Sequence, residues 1–181
     1  YITGDQAAKI FWTQGIKGGH TEIGGYRILG KIGQGAMGSV YKALQVNMDR
    51  VVALKVLAPK YAQDPSFVER FFREAKAVAK FNHPNIIHAI ECGVSNGVHF
   101  FVMEFVDGPV VGSIIRQEGA MNERRAVNIV LQVARGLDQA SKCGLIHRDI
   151  KPDNIMLTRD GVAKLCDMGL VKDTALTAEK S

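Results

Sequence analysis

Six of the eight residues from His147 to Asn154 (His147-Arg148-Asp149-Ile150-Lys151-Pro152-Asp153-Asn154) are polar or ionisable, and the apolar run Ile155 to Leu157 follows at once. A solvated turn bracketed by core segments has no need of so much charge. Asp167 comes 18 residues beyond Asp149, after a second apolar run from Val162 to Cys166, in the string Asp167-Met168-Gly169. Asp149, Asn154 and Asp167, brought together from separate loops, supply the oxygen donors that a hard divalent ion takes, and a carboxylate among them can orient a hydroxyl nucleophile.

Two further features stand upstream. Lys55 ends the apolar string Val51-Val52-Ala53-Leu54-Lys55, where strand alternation turns it to the same face as Ala53. A lysine on an inward face is costly to desolvate and needs an anionic partner, which Glu74 supplies 19 residues later. The segment Gly33-Gln34-Gly35-Ala36-Met37-Gly38-Ser39-Val40 has the spacing G-x-G-x-x-G-x-V. It lies between two strands, whereas a dinucleotide fingerprint opens a helix after a strand. Glycines in a strand-turn-strand clear side chains away, so that the backbone can lie over phosphates.

The elements that must position these residues read as follows. Asp5 to Gln14 fits a short amphipathic helix, and the Gly-rich stretch Gly15 to Gly25 reads as a linker or turn. Strand-like runs follow at Tyr26 to Ile32, Ser39 to Gln45 and Val51 to Leu57. A helix from about Ser66 to Lys80, capped by Ser66 with Glu69 three residues on, places Phe67, Phe71, Ala75 and Val78 on one face and Glu74 on the sheet side. Ile86 to Cys92 and Val98 to Phe105 give two more strands around an Asn96-Gly97 turn. Asn122 to Lys142 is the strongest helix, with Ala126, Ile129, Val130, Val133, Ala134 and Leu137 as its apolar stripe, Asn122 as cap and Gly144 as stop. Five strands with one helix, then a helical segment, predict an α+β chain of two lobes joined near residues 104–108.

Motif for motif and in order, residues 26–172 resemble the eukaryotic-type Ser/Thr protein kinase family, and GQGAMGSVY with Tyr26-Arg27-Ile28-Leu29 is most like its bacterial receptor-type members. The resemblance implies an extension over 1–25, a five-stranded antiparallel N-lobe over 26–103, a hinge at 104–108 and part of a mainly helical C-lobe over 109–181. It implies phosphorylation of Ser and Thr hydroxyls on proteins, with ATP and Mg2+ as cofactors and Mn2+ as an alternative ion. By the same resemblance Gly33, Gly35 and Gly38 cover the phosphates, while Lys55, held by Glu74, contacts the α- and β-phosphates. Asp149 accepts or orients the substrate proton, Lys151 neutralises the transferring group, and Asn154 and Asp167 hold the metal. The adenine lies between Val40 and Ala53 on one side and Met156 on the other, against Glu104-Phe105-Val106, with Met103 behind it. Arg148, beside Asp149, is the guanidinium that clamps a phosphorylated activation loop, with Thr174 and Thr177 as candidate acceptors ahead of Ser181. His147 is expected to pack and hydrogen-bond, not to act as a base.

Two departures from the family pattern stand out. Met168 replaces the usual Phe, filling the same slot with a less specified rotamer. The Ala-Pro-Glu-like motif and the helices that follow it in the family are not in the sequence, which stops 12 residues after Gly169, and Tyr1 is not an initiator Met. The expectation is therefore a piece of a longer protein, inactive on protein substrates by itself and prone to self-association through the exposed side of the long helix. Self-association for autophosphorylation is expected of the whole kinase.

Composition narrows the alternatives. The 181 residues, 46% hydrophobic and 23% charged, exclude disorder, collagen and a small disulfide scaffold. Cys92, Cys143 and Cys166 are too few for a metal knuckle and odd in number, which points to a reducing, cytoplasmic setting. No apolar run approaches the roughly 20 residues that cross a bilayer, so no membrane contact is expected of this segment, and any anchor lies in sequence outside it. Residues 1–80 hold 12 basic and 6 acidic side chains, against 11 and 12 in 81–181. That basic excess is dispersed and lacks a stacking platform or reading helix, which argues against nucleic acid. A nucleotide-binding pseudokinase or regulatory module is the alternative reading, and a small-molecule phosphotransferase a weaker one. The pseudokinase reading is countered by the presence of Lys55, Asp149 and Asp167.

Overall fold

The computed structural model describes residues 22–35, 37–167 and the backbone of 172–173. The expected helix at Asp5 to Gln14, and Ala36, Met168, Gly169, Thr174, Thr177 and Ser181, lie outside the described residues. The chain divides into two compact units, one formed by Tyr1–Ala75 with Ala89–Phe105 and the other by Lys76–His88 with Val106–Ser181.

The first unit is built on an antiparallel sheet of β1 (Glu22–Ile23), β2 (Tyr26–Gln34), β3 (Gly38–Gln45), β4 (Arg50–Leu57), β5 (Ala89–Ser95) and β6 (Val98–Glu104), in the order β1-β2-β3-β4-β6-β5. The five expected strands are joined by the two-residue edge strand β1. Alternation gives the sheet two faces. Tyr41, Ala43, Val52, Leu54, Val56, Phe100 and Val102 pack with Ile23, Tyr26 and Ile28 as one buried cluster. The opposite face carries Val40, Ala53, Lys55 and Met103, in register across β3, β4 and β6. The β5–β6 turn is closed by Asn96 and Gly97, both at positive φ, as an Asn-Gly hairpin requires.

Two of the boundaries that differ from expectation have a visible cause. The strand predicted over Ile86 to Cys92 begins only at Ala89, because Ile86 and Ile87 are claimed by the second unit, where Ile86 bridges Leu165 and the Ile87 N–H donates to the Leu165 carbonyl at 3.0 Å. The helix predicted from Ser66 begins a residue earlier. A short α1 (Pro59–Ala62) is followed by α2 (Pro65–Ala79), whose cap is Asp64: its Oδ1 accepts from the Ser66 N–H at 2.9 Å. Pro65 has no N–H to satisfy and a preset φ, so it takes the first helical position and pushes the cap back to Asp64.

In the second unit α3 (Val111–Glu118) and α4 (Glu123–Lys142) pack with the hairpin β8 (Ile155–Leu157) and β9 (Ala163–Leu165), while β7 (Leu145–Ile146) pairs with β10 (Lys172–Asp173). Asn122 caps α4 by accepting from the Arg124 N–H at 3.0 Å, and Gly144 follows its end at φ 72°. The buried stripe of α4 is Ile129, Val133, Gly136 and Ala140. Val130, expected in that stripe, is 67% exposed, as are Val127 at 60% and Leu131 at 49%. At Gly136 a Cβ would lie 3.1 Å from the Asn85 carbonyl, so the 83–86 segment presses directly on the helix backbone. Buried Asn85 donates to the Ala163 carbonyl at 2.9 Å and to Gln132 Oε1 at 3.1 Å, tying that segment to β9 and α4. Among the described residues no helix is long and apolar enough to cross a membrane.

Two glycines hold strands at distances no side chain permits. A Cβ on Gly38 would sit 1.9 Å from the Val56 carbonyl oxygen, and one on Gly108 would sit 1.9 Å from that of Leu157. Gly38→Ala is therefore expected to destabilise the protein by about 1–3 kcal/mol or more through forced backbone shifts. Gly30→Ala, in the same sheet with nothing within 4 Å, is expected to stay within about 0.5 kcal/mol. Urea titrations of the two variants check the contrast.

Candidate active site

The site residues fall into a set on each unit. On the first, β4 carries Lys55 in mid-strand and α2 carries Glu74, and Lys55 Nζ lies 2.8 Å from Glu74 Oε1. The two side chains are only 11% and 6% exposed. Burial strengthens their attraction and also makes each ion dependent on the other. Val40 is paired with Lys55 across β3 and β4, and Ala53 with Met103 across β4 and β6. These four therefore share a sheet face, with Glu104 at the end of β6 paired to Val52.

The loop between β2 and β3 closes with the Gly35 N–H donating to the Gly38 carbonyl at 2.8 Å. Gln34 braces it from outside, its Nε2 donating to the Gly38 carbonyl at 3.1 Å while its Oε1 accepts from Ser39 Oγ at 2.9 Å. The three glycines are not equivalent. Gly38 is demanded by β4, whereas a Cβ on Gly33 or Gly35 would meet nothing closer than 3.7 Å. Neither of the latter two has positive φ, so no described residue requires them to be bare. Ile32, next to Gly33, is half-exposed.

On the second unit the chain from His147 to Asn154 is organised by Asn154. This residue ends the 3-10 turn Pro152–Asn154 and is buried. Its Nδ2 donates to the Asp149 carbonyl at 2.8 Å and to Asp149 Oδ2 at 3.0 Å. Its backbone N–H donates to the Lys151 carbonyl at 2.9 Å, and its own carbonyl accepts from the Cys166 N–H at 2.8 Å. Asn154 thus joins the Asp149 loop to the residue that precedes Asp167. With its amide nitrogen committed to Asp149, the ligating atom left to Asn154 is Oδ1.

Lys151 Nζ also donates to Asp149 Oδ2, at 2.7 Å. The Lys151 and Asn154 hydrogen bonds hold the Asp149 carboxyl below the usual carboxylate range, and the same pairing pushes the Lys151 ammonium up. Arg148 at φ 66° and Asp167 at φ 57° both occupy the left-handed region. Such strain costs about 1–3 kcal/mol per residue and persists only where the surroundings over-determine it; no sequence pattern had signalled it. Met156 lies in β8, and buried Val106 opens the long segment of the second unit.

His147 is buried and holds Asp149 from the backbone side. Its Nε2 faces the Cys166 carbonyl at 3.2 Å, and its Nδ1 accepts from the Asp149 N–H at 3.3 Å. That pattern requires the neutral ring, with the proton on Nε2. Burial keeps the ring neutral by lowering its pKa, against a smaller opposing effect of the Cys166 carbonyl.

Among the described residues no three His, Cys, Asp or Glu side chains gather as a metal site. Asn154 and Asp167 offer one amide and one carboxylate oxygen instead, which suits an ion that keeps waters and takes its other ligands from a substrate phosphate.

Residues 26–180 match the family described as Protein kinase domain. The chain is 42% identical over 157 residues to the serine/threonine-protein kinase pkn3 of Myxococcus xanthus, covering 84% of this chain and 29% of that protein. It is 39% identical over 159 residues to serine/threonine-protein kinase PknA of Mycobacterium tuberculosis, covering 85% and 37%. It is also similar to the crystal structure of the PknI kinase domain of M. tuberculosis, with a TM-score of 0.72 and 33% identity over 84% of this chain and 61% of that one. The chain thus spans well under half the length of these curated relatives.

Two measurements test the site's physics without any ligand. Lys55→Met leaves the Glu74 carboxylate buried without its ammonium and is expected to cost about 3–5 kcal/mol, most of it recovered when Glu74→Leu is added; additive losses in a urea double-mutant cycle would contradict this. The depressed His147 pKa sets a direction with pH. Its neutral form is favoured in the folded state, so its contribution is present above the unfolded pKa of about 6.5 and is lost as pH falls below that value. Unfolding free energy should therefore drop between pH 7.5 and 5.5, and His147→Gln should flatten that slope; an unchanged slope refutes the assignment.

Proposed function

The chain belongs to the protein kinase domain family, and on that premise we propose that the protein transfers the terminal phosphoryl group of ATP to serine and threonine hydroxyls of proteins, itself included. The observation that carries this reading is the double hold on Asp149 Oδ2 by Lys151 and Asn154, at 2.7 and 3.0 Å. Both bonds fall on one oxygen, which leaves Oδ1 to accept the hydroxyl proton. A carboxyl held below its usual range is a weak base, so Asp149 first orients the hydroxyl and takes the proton only as the oxygen bonds to phosphorus.

The residues present fit magnesium and a nucleotide. Gly33 and Gly35 are bare although no described residue crowds them, Lys55 is a buried cation held ready, and Asn154 and Asp167 bring hard oxygen donors. When bound, magnesium ions supply charge neutralisation across the phosphate oxygens, and the same donors accept manganese. Lys55, oriented by Glu74, binds the α- and β-phosphates, and on the same unit Val40, Ala53, Met103 and Glu104 receive the base. Lys151 holds Asp149 in place and neutralises charge on the transferring group. Arg148 would meet a phosphate on Thr174 or Thr177.

In the full-length protein, Asp149→Asn is expected to lower turnover by about 10²–10⁴ with magnesium-nucleotide affinity retained, while Asp167→Asn weakens that affinity itself. Transfer of labelled phosphate and calorimetry separate the two. Equal magnesium-ATP affinity for Asp167→Asn and the unaltered protein would remove Asp167 from its role.

A further inference from the structure

Asp153 has no part in the chemistry above, yet α3 is built around it. The first turn of α3 receives no side-chain cap from Val110. Gly112, in that turn, stands where a Cβ would lie 2.5 Å from Asp153 Oδ1, 2.8 Å from its Cγ and 3.1 Å from its backbone nitrogen. One turn on, Arg116 Nη1 donates to Asp153 Oδ1 at 2.7 Å, while Nη2 reaches Ser113 Oγ at 3.2 Å. A carboxylate at the start of a helix also meets the positive end of the helix dipole.

The Arg116 and Asp153 side chains are 61% and 49% exposed. An ion pair so exposed contributes little to stability, so burial energy does not account for a glycine that admits it. Geometry does. Asp153 is the middle residue of the 3-10 turn Pro152–Asn154, and the next residue, Asn154, holds Asp149 through its carbonyl and its carboxylate. Whatever fixes Asp153 against α3 fixes the origin from which Asn154 reaches.

We propose that Gly112 and Arg116 are positioning residues, which clamp Asp153 to the first turn of α3 and so set the placement of Asn154 and Asp149 for phosphoryl transfer. The catalytic consequence rests on the kinase reading, whereas the clamp itself does not.

The test uses the full-length protein with Gly112→Ala, Arg116→Ala and the exchanged pair Arg116→Asp with Asp153→Arg. The expected result is a fall in kcat of about tenfold for each single variant, short of the ~10²-fold that an ångström of misplacement costs. The KM for ATP and the melting temperature stay close to those of the unaltered protein, and the exchanged pair regains most of the loss. Hydrogen exchange at the Asp153 and Asn154 amides should quicken in both single variants and slow again in the exchanged pair. An unchanged kcat, or a loss that follows the melting temperature and is not regained by the exchanged pair, overturns the positioning role. Unaltered exchange in both single variants overturns the clamp. If the unaltered protein transfers no phosphate, the kinase reading fails and takes the catalytic consequence with it, while exchange still decides the clamp.

Discussion

A single carboxamide sets the geometry of the second unit's functional loop. Asn154 is buried, and a buried amide with unmet hydrogen bonds is expensive. It therefore keeps its nitrogen on Asp149 and its backbone groups on Lys151 and Cys166. These bonds make a closed figure from three stretches of chain that are irregular in themselves. Residues at positive φ on either side, Arg148 and Asp167, are tolerable because the figure between them does not yield. His147 completes it from beneath by accepting the Asp149 N–H.

The first unit solves a different problem, the placement of a cation in an apolar sheet. Lys55 could not stay charged on that face without an anion, and Glu74 could not be buried on α2 without a cation. Each makes the other admissible, and together they fix the rotation of α2 about its axis, since only one face of a helix can present Glu74 to β4. Phe71, Ala75 and Val78 on the same helix are buried as well.

Much of this was legible in sequence because it is local or periodic. The alternation through Val51 to Lys55 placed Lys55 and Ala53 on one face, the spacing to Glu74 identified the partner, and Asn122 and Gly144 marked the ends of α4. What escaped was set by contacts distant along the chain. Ile86 and Ile87 have strand composition, but Leu165, nearly 80 residues away, decides which partners they take. Val130 has the period of a core residue yet is exposed, and which positions of α4 meet a neighbour, as Gly136 meets Asn85, is not written in that period. The cap at Asp64, in place of Ser66, has a local cause: Pro65, with no N–H to satisfy, takes the first helical position. Left-handed backbone at Arg148 has no sequence signature, and Asp167 carries only the general tolerance of Asp for that region.

The unequal glycines of the β2–β3 loop bear on how such a chain drifts under mutation. Gly38 is policed by folding, so a change there removes the protein from the soluble pool before its ligand affinity matters. At Gly33 and Gly35 no described residue stands in the way of a methyl group, so the fold does not hold these two as it holds Gly38. Lineages that cease to need the ligand would lose these two first and keep the third. A descendant with Gly38 alone would remain a folded scaffold, and the surviving glycine would record an ancestry that the lost ones no longer show.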